Sequence, residues 1–141
     1  MSASLSEQLK RTTLFGGFSD RQIADVLATA KRRDFAAGEQ IIRQGDEGGR
    51  GFYLVIEGAT EARAGDTVLA RFGPGDYFGE MALLLPDTPR TADVVAVEDA
   101  SCLVITQWDL RALLSAHPEA GLAMMAELAR RLAETDRTLR E

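Results

Sequence analysis

From residue 34 to residue 105 the chain is cut by Gly and Asp into apolar runs too short to make helices. The runs are Gln40–Gln44, Phe52–Glu57, Ala59–Arg63, Thr67–Phe72, Asp93–Val97 and Cys102–Ile105. They are rich in Val, Ile, Phe and Tyr, which favour strands. Between them stand Gly45-Asp46, Gly48-Gly49, Gly58, Gly65-Asp66 and Gly73-Pro74-Gly75-Asp76, all residues that suit turns. Ala64-Gly65-Asp66 reads as the turn of a hairpin. Many short strands at close spacing predict a mainly β protein, an antiparallel jelly-roll β-barrel.

Both flanks carry helical signals. In residues 1–33 Leu5, Leu9 and Leu14 or Phe15 fall on one apolar face, and Gly16-Gly17 then breaks the pattern. Ser19 followed by Gln22 is a capping box, with Phe18 ahead of it as a hydrophobic staple. Ile23, Val26, Leu27 and Ala30 continue as an apolar stripe. Lys31-Arg32-Arg33 reads as a solvated helix end. In residues 106–141 Thr106 caps a helix whose apolar side is Trp108, Leu110, Leu113 and Leu114. Pro118 opens a longer helix. On it Leu122, Met125, Ala129, Leu132 and Leu139 make a short seam, which suits either the chain's own barrel or a dimer partner. The predicted layout is one domain over 1–141: N-terminal helices in 1–33, a barrel in 34–105, two C-terminal helices in 106–141.

Composition excludes several chemistries. Cys102 is the only cysteine and His117 the only histidine, so neither a thiolate cluster nor a site of several imidazoles can form. That removes a cupin-like metalloenzyme and an iron–sulfur sensor, and a haem would have to rely on His117 or Cys102. Cys102 lies in an apolar run and is expected to be buried and inert. His117, before Pro118, is expected in a turn or cap. The net charge of −6 is concentrated in residues 34–117, which hold six Arg against fourteen Asp or Glu. An acidic chain is a poor partner for nucleic-acid phosphates, so no direct nucleic-acid contact is expected. No apolar run approaches the roughly 18 residues of a membrane span, and Met1–Lys10 has no apolar core of a signal peptide. A cytoplasmic protein without membrane contact is expected.

The chemistry concentrates in residues 78–92. Gly79 leads into Glu80-Met81-Ala82-Leu83-Leu84, a run of helix formers that Pro86 stops. A short helix here would direct unpaired N–H groups outward, ready for an anion. Gly79 has no Cβ, so a ligand can approach the backbone. Arg90 returns after a turn and could hold two phosphate oxygens. Glu80 beside an anion site makes sense if the ligand also offers hydroxyl donors, as a ribose 2′-OH does. Phosphate plus ribose describes a nucleotide. A triphosphate would call for a G-x-x-x-x-G-K-[ST] loop, which is absent from the sequence.

The stretch Phe78–Ala92 closely resembles the phosphate-binding cassette of cyclic-nucleotide-binding domains, the family of catabolite activator protein, the regulatory subunits of cAMP-dependent protein kinase and cyclic-nucleotide-gated channels. The resemblance extends to Phe35–Asp46, Phe52–Gly58 and Phe72–Phe78. It implies a reversible, non-catalytic binder of cAMP, with cGMP second, and no other cofactor. Glu80 would accept from the ribose 2′-OH, Arg90 would hold the cyclic phosphate, and Gly79, Met81 and Ala82 would border the sugar-phosphate. Thr91 would contact phosphate or a syn guanine. Val55, Leu69 and Phe72 are candidates for the pocket wall, and Leu128, Arg131, Leu132 and Thr135 for a helical lid over the base. The resemblance also implies a homodimer or effector partner. The last helix runs to Glu141 without a cap, so a further C-terminal domain is one expectation and a stand-alone receptor the other. The remaining alternative is a family member that dimerises through Leu122–Leu139 and binds no nucleotide.

Overall fold

The computed structural model describes residues 4–12, 14–43, 51–79 and 92–140, with backbone only at 135 and 137–140. The elements are α1 (Leu5–Lys10), α2 (Asp20–Thr29), β1 (Lys31–Phe35), β2 (Gln40–Ile42), β3 (Phe52–Glu57), β4 (Thr60–Ala64), β5 (Thr67–Phe72), β6 (Tyr77–Phe78), β7 (Asp93–Ala96), β8 (Ala100–Ile105), α3 (Gln107–Ala116) and α4 (Pro118–Arg140). The predicted turns Gly45-Asp46 and Gly48-Gly49 and the short helix within 78–92 lie outside the described residues.

Eight described strands form two antiparallel sheets, ordered β1-β8-β3-β6 and β2-β7-β4-β5. The chain changes sheet at almost every connection. The exception is the β4–β5 hairpin, where Ala64 pairs with Thr67 across Gly65-Asp66 and Gly65 takes φ +59°. Positive φ at the first turn residue is what a tight hairpin of this hand asks of a glycine. Sheet switching explains the short runs: each strand spans one sheet before the chain passes to the other. This is the antiparallel jelly-roll architecture with flanking helices that the sequence predicts.

Two clusters make the core. Tyr53, Val55, Phe78 and Cys102 of the first sheet meet Ile42, Ala62, Phe72 and Val94 of the second. On the opposite face of the first sheet Phe52, Leu54, Ile56, Leu103 and Ile105 pack under the helices, against Leu9, Phe15, Phe18, Ile23, Val26, Leu110 and Met124. The first sheet is therefore covered on both faces. That is why Phe52–Ile56 is apolar without alternation, whereas a sheet with one wet face would alternate. Each large side chain buried here contributes about 1.5–3 kcal/mol. On the second sheet Glu61 is buried between Arg63 (2.7 Å) and Arg71 (2.8 Å). The Arg63 hydrogen bond, with lesser help from Arg71, holds its carboxyl below the usual range.

The helix caps follow the sequence. Ser19 and Gln22 close a capping box on α2, and Phe18 and Ile23 are buried in one cluster as a staple requires. Thr106 accepts from the Asp109 N–H at 3.1 Å. His117 caps α3, meets the Gln22 amide at 3.2 Å and lies against Phe18.

Two expectations are corrected, and one of two alternatives for α4 is set aside. Lys31-Arg32-Arg33 is not a helix end: α2 stops at Thr29, Ala30 is extended, and Lys31–Phe35 pairs with Ala100–Val104 as an edge strand. Exposed charges suit an edge strand, where they discourage pairing with another chain. Trp108 is not on the buried side of α3, being 69% exposed, while Leu110 and Leu113 are buried. The described residues of the α4 seam do not pack on the chain's own sheets, one of its two predicted settings, and the Leu139 side chain lies outside the described residues. Ala120, Ala123, Met124 and Leu128 pack there instead, and Leu122, Met125 and Leu132 are each about two-thirds exposed.

Candidate functional site

The described part of the site is the approach to residue 80. Gly73-Pro74-Gly75-Asp76 forms a tight turn in which the Asp76 carboxylate accepts from the Gly73 N–H at 2.9 Å. The turn is tied to β3 twice: Gly75 N–H donates to the Val55 carbonyl, and Val55 N–H to that of Asp76. The chain then enters β6, pairing Tyr77 with Leu54 and Phe78 with Tyr53. Alternation sends the two rings to opposite faces. Phe78 stacks on Tyr53 at 5.0 Å and meets Phe72 at 5.2 Å between the sheets. Tyr77 packs on Phe52 at 5.1 Å on the helix side. The two aromatic contacts hold the end of β6 from both faces.

Gly79 follows at φ +92°. A Cβ there would stand 2.6 Å from the Gly51 carbonyl oxygen, so both backbone conformation and space demand glycine. The chain leaves the first sheet at Gly79 and enters the second at Asp93, where β7 pairs with β4 and β2. Segment 80–91 therefore connects the two sheets. Of the predicted ligand-binding residues Gly79 is described; Glu80, Met81, Ala82, Arg90 and Thr91 lie outside the described residues.

Helix α4 reaches this point through Arg131. Its guanidinium donates to the Tyr77 carbonyl at 3.2 Å and lies over the Tyr77 ring at 4.8 Å and the Phe72 ring at 5.7 Å. Glu127, one turn back, approaches its Nε at 3.6 Å. A cation over aromatic faces with a carbonyl acceptor is held on two kinds of contact at once. Among the lid candidates, Arg131 touches the strand that leads to residue 80. Leu128 is half-buried in the helix-side core, Leu132 is exposed, and the Thr135 side chain lies outside the described residues. Val55 and Phe72 belong to the cluster between the sheets; Leu69 stands outside it, 56% exposed.

The sequence places a strand end ahead of Gly79 but does not reveal its pairing with β3 or the Tyr53–Phe78 stack. The alternation of aromatic residues across Phe52-Tyr53 and Tyr77-Phe78 was the available signal. Cys102 is fully buried, and burial pushes its thiol from 9.0 up to about 12, so it is neither a nucleophile nor a ligand near neutral pH. Among the described residues no group of three or more His, Cys, Asp or Glu could hold a metal.

Comparison with known proteins bears on the same segment. The model of the cyclic nucleotide-binding domain matches residues 32–117, which include all of 78–92. The chain is 37% identical over 133 residues to the cyclic AMP receptor protein of Thermus thermophilus, covering 91% of this chain and 61% of the relative. It is 38% identical over 95 residues to the cAMP-dependent protein kinase regulatory subunit of Yarrowia lipolytica, covering 67% of this chain and 25% of that subunit. The crystal structure of the Thermus thermophilus catabolite activator protein superposes with a TM-score of 0.81 at 36% identity, covering 92% of this chain and 62% of the other. The chain thus spans less than two-thirds of the length of these relatives. With most of the chain matched by the family model, and with the expected sheets and helices in place, the chain belongs to the cyclic nucleotide-binding domain family.

Proposed function

We propose that this chain is a single regulatory domain that binds a cyclic nucleotide reversibly, cAMP in preference to cGMP, and performs no catalysis. The observation that carries the reading is the place of segment 78–92. It falls inside the family match, has at Gly79 a position that only glycine suits, and begins where Arg131 of α4 docks. In this reading Glu80 accepts from the ribose 2′-OH and Arg90 holds the cyclic phosphate. Gly79, Met81 and Ala82 border the sugar-phosphate through the backbone, and Thr91 contacts phosphate or base. A cyclic monophosphate carries one negative charge, which one guanidinium and a few N–H groups balance. The preference for cAMP rests on relatives whose names carry cAMP; Thr91 leaves cGMP as a competent second ligand. A buried free thiol suits a reducing compartment, and the reading places the chain in the cytoplasm.

Ligand would act by population shift. A nucleotide that binds better when α4 is docked favours that arrangement, and the coupling equals the difference in affinity, typically about 1–3 kcal/mol. Its output passes to a homodimer partner or an effector. The test is calorimetric titration of the purified chain with cAMP and with cGMP, using Arg90→Ala as control. Saturable binding that Arg90→Ala weakens at least about tenfold supports the reading, since one charge-assisted hydrogen bond accounts for that much. No heat from either nucleotide at millimolar concentration would overturn it. A second reading is favoured by the exposure of Leu122, Met125 and Leu132: a scaffold that dimerises through α4 and binds no nucleotide.

A further inference from the structure

We infer that His117 is a pH-sensitive tie between α2 and the junction of α3 with α4, closed while its ring is neutral and released when the ring gains a proton. The ring sits where these three helices meet. His117 caps α3, its backbone N–H donating to the Leu113 carbonyl at 2.8 Å, and Pro118 opens α4 at the next residue. Its side chain is 12% exposed and lies against the Phe18 ring at 5.0 Å, so its two nitrogens have little water to turn to.

Gln22 of α2 decides what each nitrogen does. Nδ1 stands 3.2 Å from the Gln22 Nε2. That amide has its orientation set from both ends. Its oxygen is committed to the capping box, accepting from the Ser19 N–H at 2.9 Å. Its N–H₂ also faces the Glu119 carboxylate at 3.5 Å, and an ionised carboxylate only accepts. Turning the amide over would set its N–H₂ against the Ser19 N–H and its oxygen against the carboxylate. The Gln22 amide therefore donates to Nδ1, and the ring carries its proton on Nε2. A neutral imidazole satisfies this arrangement. An imidazolium does not, because both of its nitrogens carry protons and Nδ1–H would meet the amide N–H₂.

The opposite edge of the ring offers what the charged form needs. Nε2 faces Asp25 Oδ2 at 3.9 Å, too long for a hydrogen bond and within reach of an ion pair. Among the described residues, the charged groups facing the ring are Asp25 of α2 and Glu119 of α4. Histidine takes up its proton as the pH falls through roughly 8 to 5. Over that range the directed bond from α2 gives way to an undirected attraction. The tie stands without any nucleotide; its effect on the position of α4 rests on the regulatory reading above.

The first test needs no variant and no ligand. In the ¹⁵N-labelled chain at about pH 8 the imidazole should show Nδ1 unprotonated and Nε2 protonated, and the Gln22 side-chain amide should shift as the ring titrates. The second compares Gln22→Glu in two backgrounds, wild type and His117→Phe. Glutamate keeps the capping box and replaces the donor facing Nδ1 with an acceptor. From about pH 8 to about pH 5 the effect of Gln22→Glu on the folding equilibrium constant, read by urea unfolding, should become at least about fivefold more favourable with His117 present, the worth of one hydrogen bond. With His117→Phe that gain should vanish, because repulsion from Asp25 and Glu119 is common to both backgrounds. A proton on Nδ1 at pH 8, or the same pH dependence of Gln22→Glu in both backgrounds, would each overturn the inference.

Discussion

At the scale of single residues, two glycines show how little freedom the backbone has at the two ends of β3. Gly58 takes φ +79°, and a Cβ there would fall 2.2 Å from the Asp99 carbonyl oxygen. Gly79 takes φ +92° with the Gly51 oxygen in the way. Gly79→Ala combines left-handed strain with a backbone clash, and each non-glycine residue held in such a region costs about 1–3 kcal/mol. We expect Gly79→Ala to lower the urea midpoint with no change of slope, and the clash to place it at the upper end of that range. A midpoint equal to the wild type would mean that β6 does not hold this backbone. The sequence flagged Gly79 as a place for close backbone approach. It did not reveal that the close neighbour is the chain's own Gly51, because nothing local connects residues 51 and 79.

At the scale of elements, the helices are governed by their ends and the strands by their neighbours. The Ser19–Gln22 box, the Thr106 cap and the Pro118 start were all legible, since each is written within four residues. Thr106 sits where β8 turns into α3, the step from sheet to helices. Thr106→Ala should cost about 1 kcal/mol of stability through the lost Asp109 N–H partner, read as a lower thermal midpoint. Thr106→Ser should restore most of it, because a serine hydroxyl accepts equally well. A loss that serine fails to restore would point to the Thr106 methyl rather than the cap. Lys31-Arg32-Arg33 shows the opposite case. Its charges fit a helix end locally, and only pairing with Ala100–Val104 makes it a strand.

At the scale of the whole molecule, α4 divides its apolar residues between two tasks. Ala120, Ala123, Met124 and Leu128 bury against the domain, while Leu122, Met125 and Leu132 face outward along one helix. Leu→charged substitution on the outward set should spare the fold and change association. We expect Leu132→Glu to shift the sedimentation of the chain toward monomer with its circular dichroism and thermal midpoint intact. A monomeric wild type, or an unchanged dimer in Leu132→Glu, would remove this seam from any assembly. What the sequence determined by itself was whatever physics writes locally. That covers the strand-and-turn punctuation of residues 34–105, the caps, the hairpin at Gly65-Asp66, the inert Cys102, and the 78–92 segment whose residue order marks the family. What the tertiary structure decided was every choice of partner. It set which face of α4 is covered, that Trp108 stays exposed, that β6 joins β3, and that Arg131 docks on Tyr77 and Phe72. Those choices depend on contacts between residues far apart in the chain, whose energies are comparable for several arrangements until the two sheets and their helices are packed together.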